Sequence, residues 1–283
     1  MSLKRKRTME DIFQSRQITF VIGKEKKEYS IHESAFSLLS RPLEALLTGG
    51  MQESQNAKVI WGEVEDDVFL ALVEFAYQGS YPTPSLRKVI QQKPSSDSST
   101  CEGLSNDNSQ GDAKNGPDNQ TFLSINSWMS EAVDRWVPKY IFCNSSFNQG
   151  LPPRKPKSTS TWATEMKMSN HTGYTEVFML HARLYVLADT YAIDKLRELC
   201  LRRLRISFLN VTPNAELLET LHDLIFYAFE NPTASDEFRE LLLHFCIAQM
   251  VWLKNNGFLE RMREELPEFL ADLAVEIPFN CWE

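Results

Sequence analysis

The chain has 283 residues and a formal net charge of −8, with 42% hydrophobic and 24% charged residues. This composition is typical of a globular protein and excludes a collagen, a coiled-coil rod and a wholly disordered chain. No run reaches the ~18 apolar residues that a membrane span needs, so no membrane association is expected. The excess of acidic residues falls almost wholly within 176–283, and no part expected to fold is basic, which argues against nucleic-acid binding.

The five cysteines form no CxxC pair and stand alone in the sequence. Cys200 and Cys246 fall within apolar helical patterns, which is typical of reduced, buried thiols. We therefore expect the protein in the cytoplasm or the nucleus.

Strands and short helices alternate in the pattern of the first 82 residues. The predicted order is a hairpin, two short helices, a third strand and a longer helix: 18–32, 34–39, 40–50, 58–61 and 66–79. Ser40 is expected to cap the second helix, and either Asp66 or Asp67 to cap the third. Glycines are expected to end both of these helices.

The composition changes sharply at Pro82. Ser, Asn, Asp, Gly and Pro dominate 82–120, which contains no aromatic residue. Such a segment cannot bury enough apolar surface to offset the entropy cost of ordering it. An apolar island at 121–142 interrupts the polar stretch. We therefore interpret 83–175 as a long, largely disordered insertion and not as a domain.

The last part of the chain, 176–283, is predicted to be all helical, because apolar residues recur in it at helical spacing. Leu196 lies on one such stripe and is expected to face inward. Thr212 and Pro213 are expected to be the N-cap and first residue of one helix. Pro267 is expected to divide or kink the last helix.

The residues of 17–82 resemble a BTB/POZ domain. The resemblance lies in the order of the elements, in His32 after the second strand, and in a helix that ends in Phe75-x-Tyr77-x-Gly79. The stretch 181–193 is similar to the continuation of the domain in fungal BTB proteins, where a polar insertion interrupts it. The resemblance implies an α+β fold, in which a small sheet flanked by helices is followed by an all-helical C-terminal extension.

The resemblance divides the chain into four parts: a basic N-terminal tail (1–16), a BTB/POZ core (17–82), the polar insertion (83–175) and a helical C-terminal region (176–283). It implies a non-enzymatic protein–protein interaction module without a cofactor. No phosphate loop, GxSxG motif or metal-spaced set of His and Cys occurs in the sequence. His32 is interpreted as a structural histidine whose ring bonds a nearby backbone group.

Met51, Gln52 and Glu53 follow the helix end at Gly49-Gly50 and precede the third strand. An apolar residue, any residue and then Glu in this loop resembles the contact that BTB domains make with a cullin partner. The resemblance implies that Met51 enters a small pocket of the partner and that Glu53 pairs with donors. The alternative interpretation is an ordinary loop whose Met51 fills the domain's own core.

The function that the resemblance implies is a substrate adaptor of a cullin-RING ubiquitin ligase. The alternative is a self-associating BTB scaffold, or a nuclear regulatory protein, that binds no cullin; homodimerisation through the BTB domain stays open. Lys4, Arg5, Lys6 and Arg7 are consistent both with a nuclear import signal and with a solvated tail. An enzyme is a third hypothesis, against which the lack of a convergent nucleophile, base or metal set argues.

Overall fold

The computed structural model describes residues 9–50, 52–82, 174–211, 213–231 and 236–277. Within these ranges a small sheet combines with many helices, so the fold is α+β and mostly helical. Several positions singled out in the sequence lie outside the described residues: Lys4, Arg5, Lys6, Arg7, Met51, Thr212 and nearly all of the predicted insertion.

In the described residues before the insertion there are three strands and five helices. The strands are β1 (Gln17–Ile22), β2 (Lys27–His32) and β3 (Lys58–Trp61). The helices are α1 (Met9–Phe13), α2 (Glu33–Ser37), α3 (Arg41–Thr48), α4 (Gln52–Asn56) and α5 (Asp66–Gln78).

The described residues after the insertion form helices only. They are α6 (Tyr174–Thr190), α7 (Asp194–Asn210), α8 (Ala215–Glu230), α9 (Asp236–Ala248), α10 (Met250–Asn255), α11 (Phe258–Glu265) and α12 (Pro267–Glu276). No helix in the described ranges is both long and apolar enough to cross a membrane.

The sheet has the order β2-β1-β3, with β1 in the centre. β1 pairs antiparallel with β2, which confirms the predicted hairpin, and its Phe20 lies opposite Tyr29. On its other side β1 pairs parallel with β3, where Phe20 lies opposite Val59. A parallel pair needs a crossover connection, and α2, α3 and α4 supply it. These three helices therefore lie together beside the sheet.

Two of the predicted helix ends are confirmed. Ser40 caps α3, because its hydroxyl accepts a hydrogen bond from the backbone N–H of Leu43 at 3.3 Å. Gly79 ends α5 in the left-handed conformation, with φ at +73°, which glycine adopts without steric cost.

The predicted cap of α5 is wrong. Its N-cap is Glu65, whose side chain makes no capping bond, while Asp66 and Asp67 lie inside the first turn. The Asp66 carboxylate instead pairs with Lys27 of β2, with 2.5 Å between Nζ and Oδ2. A carboxylate in the first turn still interacts favourably with the helix dipole.

The N-cap predicted for α8 is also wrong, whereas the break at Pro267 is confirmed. Asn214 caps α8, since its side-chain oxygen accepts from the N–H of Leu217 at 2.8 Å. Its backbone is extended, which suits an N-cap, and Pro213 precedes it. Pro267 begins α12, and Leu266 separates that helix from α11 in a non-helical conformation.

The described residues share one hydrophobic core that continues from the sheet through α5 into the C-terminal helices. α6 packs against α5 on one side and against α7 and α8 on others. The rings of Trp61 in β3 and Tyr191 after α6 stack with their centroids 4.7 Å apart. The parts before and after the insertion therefore form one packed unit.

Tyr81, just before the insertion, is anchored in this core and is 3% exposed. Its hydroxyl lies 2.9 Å from Nδ1 of His181 and 3.5 Å from Sγ of Cys200. Arg203 lies over its ring, 3.9 Å from the centroid, and donates to its carbonyl at 2.6 Å. Tyr174, at the end of the predicted insertion, begins α6 and is 2% exposed. Both flanks of the insertion are thus fixed in the same core.

Candidate partner-binding site

The structure describes two of the three residues of the predicted cullin contact. Gln52 and Glu53 form the first turn of α4, where the sequence predicted a loop. Gln52 is exposed and Glu53 is half-buried. Gly50, two residues before α4, has φ at +77°, and its carbonyl accepts a hydrogen bond from the Gln55 side chain at 2.9 Å.

Arg16 connects the elements on either side of this segment. Nη2 of its guanidinium donates to the carbonyl of Leu47 at 2.8 Å, and Nη1 donates to the carbonyl of Ser54 at 3.0 Å. Nε pairs with the carboxylate of Glu33, at the start of α2. Leu47 and Ser54 bracket the segment 48–53, so one side chain contacts both of its ends.

No pattern in the sequence indicates the contacts of Arg16. Its carbonyl contacts are 31 and 38 residues away along the chain. No periodic or capping pattern links residues at such separations. Only the parallel pairing of β3 with β1 brings the N-terminal side of β1 next to the end of α3 and the middle of α4.

A groove of about 1100 Å³ lies beside this segment, with Thr48 among its lining residues. Its walls come from α1, α2, α3 and the start of α7. Leu38, Leu39 and Pro42 provide apolar surface, and Leu38 is half-exposed. Carboxylates dominate the charged lining: Asp11, Glu33, Glu44 and Asp194, with Arg41 the cation among them. The lining of the groove is therefore acidic overall.

His32 has a structural position, but the partner of its ring is a side chain and not the expected backbone group. Its Nδ1 lies 2.8 Å from the hydroxyl oxygen of Tyr77, and its backbone N–H donates to the same oxygen at 3.2 Å. The ring of Phe13 meets the imidazole edge to face, with 5.2 Å between centroids. His32 therefore fixes the end of β2 against α5 and α1.

Tyr81, His181 and Cys200 form a buried polar cluster, and burial shifts the pKa of each of the three side chains. Burial, helped by the charge of Arg203, lowers the pKa of His181 to about 3. Burial raises the pKa of the Cys200 thiol to about 12 and that of the Tyr81 hydroxyl well above its ordinary value. At neutral pH all three groups are uncharged, so Cys200 has no thiolate nucleophile to offer.

Cys200 and Cys246 are both buried free thiols, as predicted. Burial also raises the pKa of Cys246. In the described ranges, no group of three or more His, Cys, Asp or Glu is arranged to hold a metal ion.

Comparison of the sequence with protein-family models and with curated proteins gives no match to either. The BTB/POZ assignment therefore stays a prediction that depends on the residues quoted for it. The same holds for the cullin contact at Met51, Gln52 and Glu53.

Proposed function

We propose that this chain is a BTB/POZ-type protein–protein interaction module that acts as a substrate adaptor for a cullin-RING ubiquitin ligase. The observation that carries the proposal is the order of the elements before the insertion. A hairpin, short helices, a third strand and then α5 follow one another in the order that the BTB/POZ resemblance implies. The accessible Gln52 and the half-buried Glu53 add support for a contact at the α3–α4 segment.

The proposed contact combines an apolar anchor with a carboxylate. Met51 enters a pocket of the cullin, and its flexible thioether suits an irregular pocket. Glu53 accepts hydrogen bonds from donors of the partner at the rim of the interface. Because water is present there, Glu53 contributes less to the affinity than Met51 does. Gln52 lies between them and is not required by the motif.

The direct test is the affinity of the purified full-length chain for the N-terminal domain of a cullin, measured by calorimetry. Met51→Ala is expected to weaken binding by about thirtyfold, because loss of an interface anchor costs ~2 kcal/mol. Glu53→Lys is expected to weaken it moderately. Gln52→Ala is the matched control and is expected to bind like the wild type.

Circular dichroism and melting curves must show that each variant is folded, because a Met51 that fills the protein's own core would also be costly to replace. A folded Met51→Ala, Glu53→Lys double variant with wild-type affinity would exclude this segment as the contact. If the wild type binds no cullin at high micromolar concentration, the adaptor function is wrong.

A second candidate function is a self-associating scaffold. Met9 and Phe13 of α1 are exposed apolar residues, as is Leu38 after α2. A contiguous exposed apolar patch is typical of surfaces that bind another protein, and α1 packs against α2. Sedimentation velocity distinguishes this function, since a scaffold is expected to dimerise in the absence of cullin, and Phe13→Ser is expected to weaken that dimer.

A further inference from the structure

We propose that Arg16 is a positioning residue for partner binding: its guanidinium holds the end of α3 and the start of α4 in the arrangement that the partner recognises. The inference rests on the proposed function, because the segment 48–53 contains the predicted cullin contact. Arg16 itself is outside the segment, as the residue before β1. It acts through hydrogen bonds to the backbone carbonyls of Leu47 and Ser54.

The two carbonyls that Arg16 contacts lie near the C-terminal ends of two helices. Leu47 is in the last turn of α3, and Ser54 is in the short helix α4. The last four carbonyls of a helix have no partner within the helix. A cation placed there donates to them and also interacts favourably with the negative end of the helix dipole. Arg16 therefore caps α3 and α4 together.

Arg16 is itself held in place by contacts that are independent of the segment. Its Nε pairs with the Glu33 carboxylate, and its backbone carbonyl accepts from the N–H of Glu33 at 2.9 Å. The guanidinium is planar and its donors form a fixed fork, so one contact restricts the direction of the others. The start of α2 thus orients the group that binds α3 and α4.

The segment needs such an anchor because of its own sequence. Gly49 and Gly50 give its backbone wide conformational freedom, and Gly50 adopts a left-handed conformation. Without Arg16 we expect the segment to populate other conformations. Since apparent affinity scales with the population of the competent conformation, a tenfold fall in that population weakens binding tenfold.

The experiment compares Arg16→Ala and Arg16→Lys with the wild type in the full-length chain. Two quantities are measured: amide hydrogen exchange in the peptides that cover 47–56, and affinity for the cullin N-terminal domain. For Arg16→Ala we expect faster exchange confined to these peptides and about tenfold weaker binding. Arg16→Lys is expected to be intermediate, because one ammonium replaces the fork of donors.

Arg183→Ala is the matched control. Arg183 is a similarly exposed arginine, with 34% of its side chain accessible against 45% for Arg16, and it pairs with Glu65 away from the segment. Arg16→Ala and Arg183→Ala therefore each remove a surface ion pair, but only Arg16→Ala also removes the hydrogen bonds to Leu47 and Ser54. Arg183→Ala is expected to leave the exchange of 47–56 and the cullin affinity unchanged.

Unchanged exchange of 47–56 in Arg16→Ala would overturn the inference, and so would faster exchange with wild-type cullin affinity. If Arg16→Ala does not fold, Arg16→Lys decides by the same two measurements. A wild type that binds no cullin, together with faster exchange in Arg16→Ala, would reject the adaptor function alone. Amide hydrogen exchange in 47–56 measures whether Arg16 holds the segment, and this result does not depend on cullin being the partner.

Discussion

His181 shows how one buried residue ties the stability of this protein to pH. Its side chain is wholly buried in α6, with its Nδ1 at 2.9 Å from the Tyr81 hydroxyl. Burial is the main cause of its low pKa, of about 3, and the nearby charge of Arg203 adds to it. In the unfolded chain the same imidazole has an ordinary pKa of about 6.5.

Between these two pKa values the unfolded state binds a proton that the folded state does not. The free energy of unfolding therefore falls as the pH falls below about 6.5, and the contribution of His181 at pH 5 is a loss of roughly 2 kcal/mol. Urea denaturation at pH 7 and pH 5 measures the loss. His181→Gln, which keeps a hydrogen-bonding side chain but does not titrate, is expected to lose less stability over the same interval; an identical loss would contradict this role.

At the scale of the elements, burial confirms the prediction that the apolar stripe of α7 faces inward. Leu196 in α7 is fully buried, whereas Leu70 in α5 is 44% exposed. Leu196→Ala is expected to lower the free energy of unfolding by about 2–5 kcal/mol, because it leaves a cavity in the core. Leu70→Ala, the matched control, is expected to cost less than about 1 kcal/mol. Equal losses in chemical denaturation would show that the stripe of α7 is not packed as described.

The hairpin, the third strand, the Ser40 cap, the Gly79 end and the break at Pro267 were predictable because each depends on residues close together in the sequence. The cap of α5 was not predictable, since Lys27, 39 residues away, binds the carboxylate that was expected to cap. Asn214 and Thr212 are both residue types that favour the N-cap, and the structure shows the capping hydrogen bond at Asn214. Arg16 was missed because its contacts appear only when the sheet has formed.

At the scale of the whole molecule, the shared core predicts the outcome of limited proteolysis. The first cut is expected within 82–120, because its polar composition favours cleavage. The two fragments are expected to elute together in size-exclusion chromatography, since Tyr81 contacts α6 and α7 and Trp61 stacks on Tyr191. Separate elution of native fragments, or a first cut within 182–205, would contradict the described packing.

The long separation between Tyr81 and its partners has a consequence for synthesis on the ribosome. His181 is encoded 100 residues after Tyr81, and elongation at roughly 5–20 residues per second delays its appearance by about 5–20 s. During this interval the nascent chain presents Tyr81 and the Trp61 ring without the helices that cover them. The newly made N-terminal part therefore has apolar surface for a chaperone to bind until α6 and α7 leave the exit tunnel.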